Sequence, residues 1–196
     1  MFALQQSFPI VLLTSFFGPV STGFYTISRT VLNLPTILIG KAVGDVFYPR
    51  VAEAKNNNEN FVNLLKKSTL GLAIVGFVPY SLVIIIGPIL FGFVFGKEWV
   101  IAGEYARWIA IWSFSTLLNR PSVMTLPVIN AQRFHLIYTI ILAIVNLTVI
   151  FLGYKLFKSA LISVALFCLS GTIANIFLIS ATIYMSKKKV ESFKSK

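Results

Sequence analysis

From Gly18 to Ala54 the chain reads GPVSTGFYTISRTVLNLPTILIGKAVGDVFYPRVAEA, an apolar run long enough to cross a bilayer that carries Arg29 well inside it. A charged side chain at the centre of a membrane helix costs roughly 2.5–3.5 kcal/mol on insertion scales, so it has to face protein or a wet cavity. Arg29 is therefore a functional-site candidate. The rest of the chain sets it in a lipid context. Hydrophobic residues make up 57% of the sequence and charged residues 12%, with a mean hydropathy of +0.84. A soluble domain carries about a quarter charged residues. A core built from 196 residues cannot hide this much apolar surface, so the bilayer acts as the solvent.

Six apolar segments follow one another: about Phe2 to Phe17, Ser21 to Tyr48, Ser68 to Phe95, Ile101 to Val128, Phe134 to Tyr154 and Ala160 to Met185. All but the short first, with Gln5, Gln6 and Pro9, reach the roughly 20 residues a spanning helix requires. Membrane β-strands would instead alternate over segments of about ten residues, a pattern not seen here. The expectation is an all-α integral membrane protein, with a six-transmembrane-helix bundle over 1–186 and a basic cytoplasmic tail over 187–196. The polar stretch Arg50 to Lys67, with Asn56, Asn57, Asn58 and Asn60, reads as a surface loop.

Lysine and arginine placement orients the bundle. With both termini in the cytoplasm, the inner side holds Arg50, Lys55, Lys66, Lys67, Arg133, Lys187, Lys188, Lys189, Lys194 and Lys196, and the outer side only Lys97, Lys155 and Lys158. That asymmetry follows the positive-inside rule and requires an even number of spans. The net charge of +11 is thus explained by orientation and lipid headgroups rather than by nucleic acid, for which no basic-aromatic reading surface is present. The single cysteine, Cys168, rules out an intramolecular disulfide and a multi-cysteine metal site. The N-terminus MFALQQSF lacks the positive region of a cleaved signal peptide.

Four basic residues remain at membrane depth: Arg29, Lys41, Arg107 and Arg120. Lys41 precedes Asp45 by four positions and Glu104 precedes Arg107 by three, so each pair is expected to form a structural ion pair on one helix face. Arg29 and Arg120 have no local carboxylate and lie on different segments. Two such guanidiniums at depth are costly unless they meet an anion or water. Around Arg29 a polar stripe recurs at helical spacing: Thr22, Thr26, Asn33, Thr36 and Gly40. Small and hydroxylated residues alone would indicate helix packing. With Arg29 among them they indicate a cavity, whose candidate substrate-binding residues are Arg29, Arg120, Asn33, Thr26 and Thr36.

Other features carry less. His135, near Arg133 at a helix start, reads as an interfacial hydrogen-bonding residue. Trp99, Tyr105, Trp108 and Trp112 read as an aromatic belt. The triplet Asn146-Leu147-Thr148 lies inside an apolar run and is no glycan acceptor. No catalytic triad, phosphate loop, metal cluster or paired carboxylates are present, so neither an enzyme nor a cofactor is expected.

The block from Gly23 to Ala54, with Gly23-Phe24-Tyr25, Leu34-Pro35 and Val46-Phe47-Tyr48-Pro49-Arg50, resembles the seventh-to-eighth helix region of bacterial oligosaccharide flippases. These are the O-antigen and capsule exporters of the polysaccharide transporter family, within the multidrug/oligosaccharidyl-lipid/polysaccharide exporter superfamily. The stretch Phe95 to Ser113, FGKEWVIAGEYARWIAIWS, is similar to the ninth-to-tenth connection of the same family. The resemblance implies the C-terminal lobe of such a transporter in the bacterial inner membrane. It implies alternating access that moves an undecaprenyl-diphosphate-linked oligosaccharide across the membrane. Arg29 and Arg120 would then position the diphosphate or the sugars, since arginine suits bidentate phosphate recognition. Family members have two six-helix bundles, so the implied partners are a lipid-linked oligosaccharide, membrane lipids, and either a missing N-terminal six-helix bundle or a second copy. A short first segment beginning almost at Met1 points to a truncated or split product. A lipid II flippase, a multidrug exporter of the same superfamily and a non-transporting scaffold of a glycan assembly complex remain as alternatives.

Overall fold

The computed structural model describes the backbone over residues 2–57 and 59–194, and side chains over 8–57 and 59–192. The side chains of Gln5, Gln6, Lys194 and Lys196, and the position of Asn58, lie outside the described residues. Every regular element within these bounds is helical: α1 Phe2–Asn56, α2 Phe61–Phe95, a short 3-10 turn Lys97–Trp99, α3 Val100–Leu118, α4 Arg120–Val128, α5 Gln132–Phe157 and α6 Ala160–Lys194. Among the described residues, four helices are long and apolar enough to cross a membrane: Phe8–Asn56, Phe61–Phe95, Gln132–Phe157 and Ala160–Ser192. Their outer faces expose large apolar side chains such as Leu38, Val46, Ile89, Phe93, Ile144 and Ile173, as suits helices in a lipid environment. The chain is an all-α membrane protein.

The first two expected segments are limbs of one element. α1 is broken at Gly18, whose backbone has φ 82° and ψ 176°. Glycine adopts that conformation without a Cβ penalty, and Pro19 restarts the helix where its missing N–H is not needed. The fourth expected segment is divided instead into α3 and α4, which meet at Asn119 with Pro121 at the start of α4.

The expected loop from Arg50 to Lys67 is a correction. Helix α1 continues to Asn56 and α2 begins at Phe61, so the turn between them is short. Phe47, Val51 and Ala54 form one apolar stripe that meets Phe61, Val62 and Leu65 in a second buried cluster, joined by Val128 and Val190. That burial holds both helix ends despite the asparagines between them. Arg50 clasps the turn through Glu53 at 3.2 Å and Glu59 at 2.9 Å, and the Asn60 side chain caps α2 by accepting from the Val62 amide. The expected tail over 187–196 is helical as far as Lys194, with Val190 buried in the second cluster.

The main core gathers Tyr25 and Leu32 of α1, Leu72, Tyr80 and Phe91 of α2, Ile109 and Leu117 of α3, and Val164 and Phe167 of α6. Helices α2 and α3 pack most extensively. Their backbones touch where Gly87 faces Gly103: a Cβ on Gly87 would stand 2.8 Å from the Gly103 carbonyl oxygen. A Cβ on Gly103 would fall within the Pro88 backbone. Small residues permit such approaches between membrane helices. The Ser28 hydroxyl donates to the Ala102 carbonyl at 2.6 Å, tying α1 to α3. The Thr36 and Tyr80 hydroxyls are hydrogen-bonded to each other, tying α1 to α2.

Candidate functional site

A cavity of about 220 Å³ opens between α1, the α3–α4 junction, α5 and α6. Helix α1 contributes Arg29, Asn33 and Thr36, one side of its polar stripe. The α3–α4 junction contributes Trp112, Ser113, Thr116, Asn119 and Arg120. From α5 come His135, Tyr138, Thr139 and Asn146, and from α6 Phe167, Gly171 and Asn175. Arg29 and Arg120, far apart in sequence, thus line one cavity. No aspartate or glutamate is among the described residues lining it.

Aromatic faces support Arg29. Its guanidinium lies 5.8 Å from the Tyr25 ring centroid and 5.9 Å from that of Trp112, and it donates to the Tyr25 hydroxyl at 3.4 Å. Cation–π contacts of this kind contribute about 0.5–2 kcal/mol, more as water is removed. They orient the guanidinium toward the cavity that it lines. Trp112 is held in turn by Phe167, with ring centroids 5.2 Å apart, and by Gly171.

Arg120 occupies the first turn of α4, where the helix dipole disfavours a cation. Its side chain crosses Gly40, whose missing Cβ would stand 3.1 Å from the arginine Nε. That Nε is buried and has no hydrogen-bond partner among the described residues. An unmet buried donor costs about 1–3 kcal/mol. Neither helix stability nor local pairing accounts for a cation here.

The cavity wall is stiffened by amides. Asn119 donates to the Asn175 side-chain oxygen at 2.9 Å, and Asn175 donates to the Ser115 and Thr116 hydroxyls at 3.0 and 3.1 Å. This links α3 to α6 beside Arg120. Further along α6, Ser170 donates to the Asn146 oxygen at 3.1 Å.

The other sequence candidates fall in several places. Thr26 is exposed and does not line the cavity; three positions before Arg29, it lies roughly 60° around the helix from it, at the edge of the stripe. Thr22 is spent on α1 itself, donating to the Gly18 carbonyl at 3.0 Å. Arg107 and Glu104 form the expected ion pair at 3.2 Å. Lys41 and Asp45 form none among the described residues: both are exposed, where the gain from pairing is too small to fix two long side chains. Trp112 and His135, expected at the membrane interface, line the cavity instead. Asn146, Tyr138 and Asn175 carried a signal that was passed over, since positions 135, 138, 139, 142 and 146 of α5 recur at helical spacing and 171 and 175 of α6 do the same.

A model of the family described as polysaccharide biosynthesis protein matches residues 1–103, slightly more than half of the 196 residues. The chain belongs to that family. No curated protein and no solved structure matches it. The family match spans α1, α2 and the start of α3, and so includes Arg29, Asn33 and Thr36 but not Arg120 or His135. Membership assigns the chain a part in polysaccharide biosynthesis or transport, as a multi-pass membrane protein.

Proposed function

We propose that the protein flips undecaprenyl-diphosphate-linked oligosaccharide units across the bacterial inner membrane by alternating access, for O-antigen or capsule assembly. The observation that carries the reading is that Arg29 and Arg120 line one cavity with no carboxylate among the described lining residues. A diphosphate bears negative charge through a low-dielectric region, and two guanidiniums offset it with bidentate hydrogen bonds. The same charge balance argues against export of organic cations, which would need intramembrane acids.

In this reading the kinked α1, α2, the α3–α4 pair, α5 and α6 make six membrane passes, with both termini cytoplasmic and the arrangement of a C-terminal lobe of the exporter superfamily. A cavity of about 220 Å³ takes a headgroup and not a whole oligosaccharide, so a second six-helix bundle or a second copy completes the pathway. Replacement of Arg29 by Ala should abolish glycan export in a complementation assay while membrane abundance stays unchanged. Normal export by that variant would sink the proposal.

A further inference from the structure

We infer that Asn175 of α6 is a positioning residue for Arg120: its side-chain amide fixes the junction between α3 and α4, so that the Arg120 side chain crosses Gly40 and lines the cavity. The consequence for binding rests on the reading of Arg120 as an anion-holding residue; the placement of the junction does not.

An asparagine at the start of a helix ordinarily turns its side-chain oxygen onto the amides of the first turn. Asn119 begins α4 and makes no such bond. The residue is buried, and its side-chain oxygen has no hydrogen-bond partner among the described residues. Its amide is donated instead to the Asn175 oxygen at 2.9 Å, across to α6. A local cap is given up for a contact between helices.

The direction of that bond follows from its neighbours. The Ser115 and Thr116 hydroxyls donate to the Trp112 carbonyl at 2.8 and 2.9 Å, so toward Asn175 their oxygens accept. The Asn175 amide donates to both, at 3.0 and 3.1 Å. Its oxygen is thereby turned to the junction, where the Asn119 amide meets it. One side chain of α6 thus holds the last turn of α3 and the first residue of the junction together.

Beyond the junction, α4 lies across α1. The Arg120 Nε stands 3.1 Å from the position of a Gly40 Cβ, and Met124 takes the space of the missing Gly44 Cβ. The two glycines are four positions apart, as are Arg120 and Met124, so one register seats both side chains. Pro121 has no N–H with which to continue the hydrogen bonding of α3 into α4. The register therefore depends on what anchors Asn119.

Disulfide formation reads this placement without any ligand. The Arg120 Cγ, whose place a cysteine sulfur would take, lies 3.6 Å from the Gly40 Cβ position, within disulfide reach. Native Cys168 is fully buried and stays out of the reaction. The purified full chain carrying Gly40→Cys and Arg120→Cys should cross-link on oxidation with copper phenanthroline. Adding Asn175→Ala or Asn119→Ser should slow that reaction several-fold. Serine is as good a helix start and too short to reach Asn175, so Asn119→Ser serves should Asn175→Ala fail to fold. Cross-linking at the parent rate in either folded variant would overturn the inference. Binding of inorganic diphosphate in detergent gives the second readout. Asn175→Ala should weaken binding several-fold in the wild type and have no further effect in Arg120→Ala. An equal loss in both backgrounds would show that Asn175 does not act through Arg120. If cross-linking slows as expected while the wild type and Arg120→Ala bind diphosphate alike, the placement stands and the anion-site reading fails.

Discussion

The guanidinium of Arg29 lies over the indole of Trp112, 5.9 Å from its ring centroid, and that indole is seated against Gly171, where a Cβ would stand 2.6 Å from Nε1. One helix supplies the charge, a second its aromatic support, and a third the space that support needs. Gly171→Ala should therefore displace the indole and act on Arg29 without touching it. Export should fall several-fold with membrane abundance nearly unchanged. Trp112→Phe, which keeps a π face but frees the space, should restore much of the loss in the double variant. Glycan export measured across the three variants checks this.

On the proposed reading Arg29 and Arg120 grip a diphosphate by geometry as well as charge, so lysine should be an incomplete substitute at either position. Arg29→Lys should retain a minor fraction of export and Arg29→Ala none above background. Equal export by the lysine and wild-type proteins would show that a point charge suffices.

The α2–α3 crossing at Gly87 and Gly103 lies outside the cavity lining, so its packing should bear on stability. Gly103→Ala drives a methyl group into the Pro88 backbone, which cannot rotate away. Overpacking of this kind costs about 1–3 kcal/mol. The variant should show a lowered Tm in detergent and reduced membrane abundance, with export per molecule preserved.

Arg107 has a comparable structural role. It donates to the Ile85 carbonyl at 2.9 Å, beside the α2 kink at Ile86, and holds Glu104 at 3.2 Å. The ion pair is more than a third exposed and contributes little, whereas the bond to the Ile85 carbonyl is lost. Arg107→Met should cost about 1–2 kcal/mol through that lost bond. Thermal unfolding should register the change while ligand binding stays as in the wild type.

Membrane class and helical content were legible in the sequence because apolar length is a direct consequence of bilayer thickness. That Arg29 and Arg120 line one cavity was legible only as two cations without a local carboxylate; nothing in local spacing shows that the start of α4 folds back onto Gly40. The loop expected at Arg50 to Lys67 misled because its asparagines outweigh, in composition, the stripe of Phe47, Val51 and Ala54 that buries against Phe61 and Leu65. Thr26 misled for the opposite reason. A stripe at spacings of four and three has a width around the helix, and the member at its edge ends on the exposed side. His135 and Trp112 are near segment ends, where interface and cavity look alike until neighbouring helices are placed.

The proposed function requires Arg29 and Arg120 to hold one anion together. The most direct measurement is native mass spectrometry of undecaprenyl-diphosphate-linked sugar on the purified protein, comparing the wild type, Arg29→Ala, Arg120→Ala and the double variant as a double-mutant cycle. Each single variant should lose most of the binding, and the double variant little more than either, because the two side chains act on the same group. Additive losses, or a single variant that binds as the wild type does, would contradict a shared site.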